Sequence, residues 1–372
     1  TKVYEYGLKA MTSLRYFGVL LVLASAACQP NQQNQAASQP ATHANHVASA
    51  PKSPLPPQCD NIPLQMSAIT ANSDLQSLSV LNLALKRCVP LVNMETRKLW
   101  LDASWDMYQR FLKLGGNSKT AMVWDEFSGI LEGYPDESSE DKQARLQRQA
   151  ELWPRLTPRM QQMSLWLGKE YIDNYYIGEG EMALRRHPHF ITDVFAPYLP
   201  EDEQVFSRQL AKENTTLTTN DAALVIPWSE VSNRALFWER YLKRYPDSPY
   251  AKQAEFLFQW YQTILFQGLD NTPVLEFDDK QLNISADAMA IHQALSTKTD
   301  SLMAAKSKDF IQWLQLQQQH WPQLSAAERA DFGKQVQLEH KKLKVAFPNP
   351  VAAGKNSHYD CFTDALCHVT KG

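Results

Sequence analysis

The densest run of residues able to do chemistry is Lys169-Glu170-Tyr171-Ile172-Asp173-Asn174-Tyr175-Tyr176-Ile177-Gly178-Glu179-Gly180-Glu181, followed by Arg185-Arg186-His187-Pro188-His189. Glu179 and Glu181, two carboxylates on a glycine-bracketed turn, are the residue types that glycan hydrolysis uses as general acid and general base. His187 and His189 titrate near neutrality and could share a proton or a metal ion. The plain structural alternative is that a helix ends at Gly178, a loop follows, and the arginines and histidines decorate the next helix and its proline stop. The chain has no serine nucleophile elbow, no paired-histidine zinc helix and no phosphate loop. His43 and His46 form a second, sparser pair, THANH, without companions to complete a metal shell. No cofactor and no metal site is expected.

The elements that must position these residues read as helices. Asp74 to Cys88 is apolar at helical spacing, Met94 to Leu114 carries Leu99, Trp100, Trp105, Tyr108, Phe111 and Leu112, and Ser118 to Gly133 follows. Ser138 with Asp141 forms a capping pattern, Thr157-Pro158 opens a helix predicted to run through Tyr176, and Pro200 opens another through Glu213. Ser285 precedes ADAMAIHQALS, a long pattern covers Asp300 to His320, and Ser325 with Glu328 caps a last helix toward Val345. Ala223 to Trp228 is the nearest approach to strand alternation, and it is short. The expected fold class is all-α.

The clearest packing unit is Ala235 to Gly268, ALFWERYLKRYPDSPYAKQAEFLFQWYQTILFQG. Leu236, Phe237, Tyr241 and Leu242 share one side of a first helix, with Glu239, Arg240, Lys243 and Arg244 on the other. Tyr245-Pro246 stops it, Ser248 and Pro249 suit a new N-terminus, and Gly268 suits a left-handed stop. The second helix places Phe258 and Trp260 in the core, while Tyr250 and Tyr261 are compatible with either environment. Met107 to Lys113 matches Phe237 to Lys243 at a displacement of 130 positions, and Asn117, Ser118 and Ala121 match Asp247, Ser248 and Ala251.

The run WERYLKRYPDSPYAKQAEFLFQWYQTILFQG resembles the helix-turn-helix of tetratricopeptide proteins, in particular outer-membrane assembly lipoproteins of that class, where a Tyr-Pro-x-Ser-x-Tyr-Ala turn joins consecutive repeats. The resemblance implies stacked helical hairpins, an α-solenoid, with a groove that binds another protein. A regular array repeats near every 34 residues, whereas NTPVLEFDDKQLN follows Gly268 and departs from that spacing.

The N-terminal region points to export. From Met11, MTSLRYFGVLLVLASAAC has a basic start at Arg15, an apolar run from Tyr16 to Ala24 and small residues before Cys28. The apolar run is shorter than the roughly 20 residues a membrane-spanning helix needs. Cys28 after Ser25-Ala26-Ala27 resembles the bacterial lipobox, which implies cleavage before Cys28 and its lipidation; ordinary signal peptidase cleavage after Ala24 or Ala27 is the alternative. Gln29 after the cysteine, rather than Asp, implies the outer membrane. Residues 29–57 are rich in Gln, Asn, Ala, Ser and Pro with Lys52 as the one strongly charged side chain, a composition that stays disordered and serves as a tether. The expected organisation is residues 1–27 as upstream segment plus signal peptide, 28–57 as lipidated tether, and 58–372 as a helical domain. That domain divides into lobes 58–195 and 196–345 with a cysteine-bearing C-terminal tail.

Cys59, Cys88, Cys361 and Cys367 remain, an even number suited to disulfides in an oxidising periplasm. Cys59 with Cys88 and Cys361 with Cys367 give local loops; Cys59 with Cys361 is a long-range alternative, and a metal site from Cys361, Cys367 and His358 or His368 matches no zinc pattern. The formal net charge of −3 argues against nucleic acid as a partner, and the basic run His340 to Lys344 suits a helix C-terminus. Two functions follow as expectations. One is a non-enzymatic, lipid-anchored, periplasm-facing adaptor whose ten Trp and fourteen Tyr supply contact area to a protein partner in the envelope. The other is an envelope hydrolase of cell-wall glycan or peptide, working through the Glu179 to His189 region.

Overall fold

The structure, a computed structural model, describes residues 55–133, 136–178 and 180–371. The signal segment, Cys28, the tether up to position 54 and Glu179 lie outside the described residues. The described chain is mainly helical, with short antiparallel strand pairs between the helices.

The first six helices are α1 (Ile62–Ala68), α2 (Leu75–Cys88), α3 (Met94–Phe111), α4 (Ser118–Gly129), α5 (Ser139–Leu152) and α6 (Pro158–Trp166). Five of them start where a short polar side chain accepts a backbone N–H of the first turn: Asp74, Asn93, Asn117, Ser138 and Thr157. Strands β1 (Ile172–Gly178) and β2 (Glu181–Arg186) form an antiparallel hairpin. This corrects the all-α expectation at the segment that carries most of the candidate chemistry. The helix from Pro158 stops at Trp166, and Gly168 with φ 75° turns the chain into a strand.

Helices α7 (His189–Val194) and α8 (Glu201–Thr215) follow, then the two-residue strands β3 (Thr219–Asn220) and β4 (Ala223–Leu224). Next come α9 (Trp228–Arg244) and α10 (Ala251–Gln267), packed along each other as the sequence predicts. The buried face of α9 is Trp228, Val231, Ala235, Trp238 and Tyr241. Glu239, expected on the polar side, is buried: its carboxylate accepts from the Ser301 hydroxyl at 2.7 Å and from the backbone N–H of Leu302, and so holds the start of a later helix. Ser248 does not cap α10, which begins at Ala251; its hydroxyl instead meets that of Tyr241 at 2.7 Å. Gly268 has φ 77°, and a Cβ there would run into the Thr272 carbonyl and the Val274 nitrogen, so the position requires glycine twice over. Phe258 and Tyr261 are buried, but Trp260, expected in the core, is half-buried against it. The α10 helix has the C-terminal loop on that side rather than another helix.

Small strand pairs β5 (Gly268–Leu269) with β6 (Thr272–Pro273) and β7 (Leu275–Phe277) with β8 (Leu282–Ile284) precede α11 (Ala286–Ser296) and α12 (Leu302–His320). Helices α13 (Ala326–Ala330) and α14 (Phe332–Leu343) lead to β9 (Ala352–Gly354), β10 (Ser357–Asp360) and β11 (His368–Lys371), a three-stranded antiparallel sheet in the order β11-β10-β9. Ser325 and Glu328 form the expected capping box.

The 130-residue correspondence is not carried into packing. Helix α3 packs on α1 and β2, and α4 on β2 and α5, so a strand meets both helices of the earlier copy. The described residues show no repeat or solenoid. One cluster of buried side chains joins residues of 58–195, such as Phe111 and Phe190, to residues of 196–345, such as Phe206 and Trp238; a smaller one holds Leu282, Leu314, Trp321 and Phe332.

Candidate functional site

The β1–β2 hairpin decides which candidate residues can meet. Its register pairs Ile172 with Arg186, Asp173 with Arg185 and Tyr175 with Ala183, and closes with Gly178 opposite Glu181. Glu181 therefore stands at the turn, while His187 and His189 follow the far end of β2. At about 3.3 Å per residue, the six steps from Glu181 to His187 span roughly 20 Å. Glu181 and the two histidines thus stand at opposite ends of the strand pair.

The histidine end opens on a polar cavity of about 530 Å³ lined by Lys86, Glu170, Tyr171, Asp173, His187, His189 and Asp193, among others. Glu170 and Tyr171 both have positive φ, 47° and 60°, a costly conformation for residues with side chains. It is held from beneath: Tyr108 donates to the Glu170 carbonyl at 2.7 Å, and Asn82 donates to the Glu170 carboxylate at 2.9 Å. Tyr171 donates to Asp193 at 2.9 Å. Burial pushes the His187 pKa down, helped by His189 and opposed by Asp173. A neutral ring agrees with its Nδ1 accepting the His189 backbone N–H at 3.2 Å. Among the described residues, no group of three or more His, Cys, Asp or Glu side chains is placed to hold a metal ion.

The turn end lines a second cavity, of about 470 Å³, where Tyr175 and Tyr176 meet Trp260 of α10, Phe362 of the C-terminal loop and the end of α8. Its floor is a buried network around Glu213. That carboxylate accepts from Gln209 at 2.7 Å, from the Trp238 indole at 3.0 Å and from the Tyr261 hydroxyl at 2.9 Å. Burial pushes the Glu213 pKa up, against these donors and the nearby Arg234. Arg234, itself buried, donates to the Thr218 hydroxyl at 2.8 Å and the Thr216 carbonyl at 2.9 Å, fixing the segment that leads into β3. The β3–β4 turn places Asp221 and Ala222 at φ 46° and 57°, and Asp221 accepts from Tyr176 at 2.7 Å.

Between the two ends lies the C-terminal loop, closed by the Cys361–Cys367 disulfide; the other disulfide is Cys59–Cys88. Both local pairings are formed, which removes Cys361 and Cys367 as metal ligands. Asp364 is fully buried and accepts from Arg186 at 2.5 and 3.0 Å and from the Ala365 N–H at 2.6 Å. Its other neighbour is His368 at 3.0 Å, whose ring stacks on Trp105 at 3.6 Å. Arg186, equally buried, also donates to Ser104 at 2.7 Å and lies over the ring of Phe190. Burial alone would raise the Asp364 pKa; Arg186 and His368 outweigh it and hold the carboxyl below its ordinary value. Asn214 of α8 donates to the carbonyls of Cys361 and Asp364 at 2.9 and 2.6 Å.

The sequence singles out His187 and His189, which line one cavity, but gives neither the cavity at the turn nor the Arg186–Asp364 pair. An aspartate inside a seven-residue cysteine loop was the available signal for a buried partner of an arginine. Fold and sites together define a disulfide-braced, mainly helical body with one cavity at each end of a central β-hairpin. No family model matches the chain, and neither a curated protein nor a solved structure matches it.

Proposed function

We propose that this chain is a non-enzymatic adaptor of the cell envelope, anchored by lipid at Cys28 to the outer membrane, facing the periplasm and holding a protein partner through its helical body. The observation that carries the reading is the separation imposed by β1–β2: Glu181 stands at the turn, whereas His187 and His189 follow the opposite end of the strand pair. Export is supported by the signal-like segment before Cys28 and by the two disulfides, which suit an oxidising compartment. The α9–α10 hairpin, where the tetratricopeptide resemblance lies, supplies the rigid helical surface of the adaptor.

Fractionation and in-cell crosslinking of the tagged full chain test the reading. The wild type should sediment with outer membranes and crosslink reciprocally to one envelope protein, while Cys28→Ala should leave the membrane, because each buried methylene of the anchor contributes about 0.8 kcal/mol. A membrane-independent wild type sinks the anchor. Turnover of cell-wall material that disappears in His187→Ala without loss of folding would favour the hydrolase instead.

A further inference from the structure

The cavity at the hairpin turn combines two kinds of surface. Flat apolar faces come from Tyr175, Tyr176, Trp260 and Phe362, four rings supplied by three distant parts of the chain. Between them stand Asn214, Thr218, Thr219 and Asn220. Asn214 is 4% exposed and gives its amide nitrogen to two loop carbonyls, yet among the described residues its Oδ1 accepts nothing. The Trp260 indole N–H likewise donates to nothing among them, although the ring is packed beside Phe362 at 5.2 Å and Phe347 at 5.0 Å. The surrounding groups are set in place in advance: the Tyr176 hydroxyl is held between Asp221 and the Gly180 N–H, and the Thr218 hydroxyl by Arg234.

The charge of the lining narrows the ligand. Among the described residues Glu213 and Asp221 line the cavity and no lysine or arginine does; Arg185, over the Tyr175 ring, is paired with Asp173, and Arg234, beside Glu213, with Glu230, so the lining offers an anionic ligand two carboxylates and no free counter-charge. A purely apolar ligand would cover Asn214 Oδ1 and the Trp260 N–H without pairing them. An uncharged ring with one C–H face and hydroxyls around its edge meets both demands, stacking on the aromatics while its edge bonds the amide and indole groups. The volume lies within the roughly 300–1,000 Å³ usual for small-molecule sites. We propose that this cavity binds a short segment of uncharged carbohydrate, with Trp260 as stacking platform and Asn214 as hydroxyl acceptor. The proposal goes beyond the adaptor reading and stands independently of it, since a saccharide site does not require a protein partner.

The test is isothermal titration of the full chain in detergent with chitotetraose, cellotetraose, maltotetraose and mannotetraose, and with tetragalacturonate as the anionic counterpart. At least one neutral tetrasaccharide should bind more tightly than tetragalacturonate. Trp260→Ala should weaken that binding by about tenfold or more. Asn220→Trp, at an exposed position of the rim, should leave the melting temperature unchanged, obstruct the cavity and weaken binding likewise, and it decides the matter should Trp260→Ala fail to fold. Absence of binding by all four neutral sugars at about 10 mM, equal or tighter binding of tetragalacturonate, or binding unchanged in the variants overturns the site. The crosslinked protein partner is scored separately, so either result can fail alone.

Discussion

His292 is a fully buried histidine kept neutral by its surroundings. Its Nε2 faces the Leu265 carbonyl at 2.9 Å, which accepts only, so the proton sits on Nε2 and Nδ1 accepts from the Ser307 hydroxyl at 3.2 Å. The rings of Phe266 and Phe310 lie 4.6 and 4.8 Å away. Burial pushes its pKa down from 6.5 to about 4, against the opposing effect of the Leu265 hydrogen bond. Between those values the unfolded chain binds the proton and the folded chain does not, so stability is fully present above pH 6.5 and is lost as pH falls toward 4. The full loss from this one group is about 3 kcal/mol. Urea denaturation at pH 7 and pH 4.5 should show a smaller fall in the midpoint for His292→Gln than for the wild type; equal falls would refute the assignment. Glu213 works in the opposite sense: its raised pKa disfavours the folded state as pH rises past its ordinary value.

At the scale of elements, the α9–α10 hairpin separates two aromatics that the helix pattern treats alike. Phe258 is buried and should cost about 3–5 kcal/mol when truncated to alanine. Trp260, half-buried beside the cavity, should cost less than Phe258 despite its larger ring. Thermal melts of the two variants check the order, and a reversed order would place Trp260 in the core after all. Several helix starts were legible because a local side chain marks them: Asp74, Asn117, Ser138 and Ser325 act within three residues of themselves. The β1–β2 hairpin was not, because Glu181-Met182-Ala183-Leu184-Arg185-Arg186 consists of good helix formers held in a strand by Asp173, Asp364 and the rings around Arg186. Tyr175-Tyr176-Ile177 followed by two glycines was the strand-and-turn signal within reach. The cavity at the turn had no local signal at all, since its walls come from positions 175, 260 and 362.

Across the whole molecule, the Arg186–Asp364 pair ties the hairpin, α3 and α8 to the C-terminal loop. Removing one partner of a buried ion pair strands the other charge, and Asp364→Ala should destabilise the fold by about 3–5 kcal/mol in urea titration. Replacing both, Arg186→Met with Asp364→Leu, should cost less than the single change, because no charge is then left behind. A double variant no better than Asp364→Ala would mean that the loop is held by its disulfide and by Asn214 instead.

The same pair has a consequence for how the chain is made. Arg186 and Asp364 are 178 residues apart, and Asn214 waits 147 and 150 residues for the two carbonyls it holds. During synthesis from the N-terminus, every helix up to α14 emerges while the centre still contains an arginine with no counter-ion and an amide with no acceptor. At about 5–20 residues per second, that interval lasts roughly ten to thirty seconds. A chain cut short anywhere upstream of Cys361 therefore lacks both the counter-ion of Arg186 and the two acceptors of Asn214, wherever it folds.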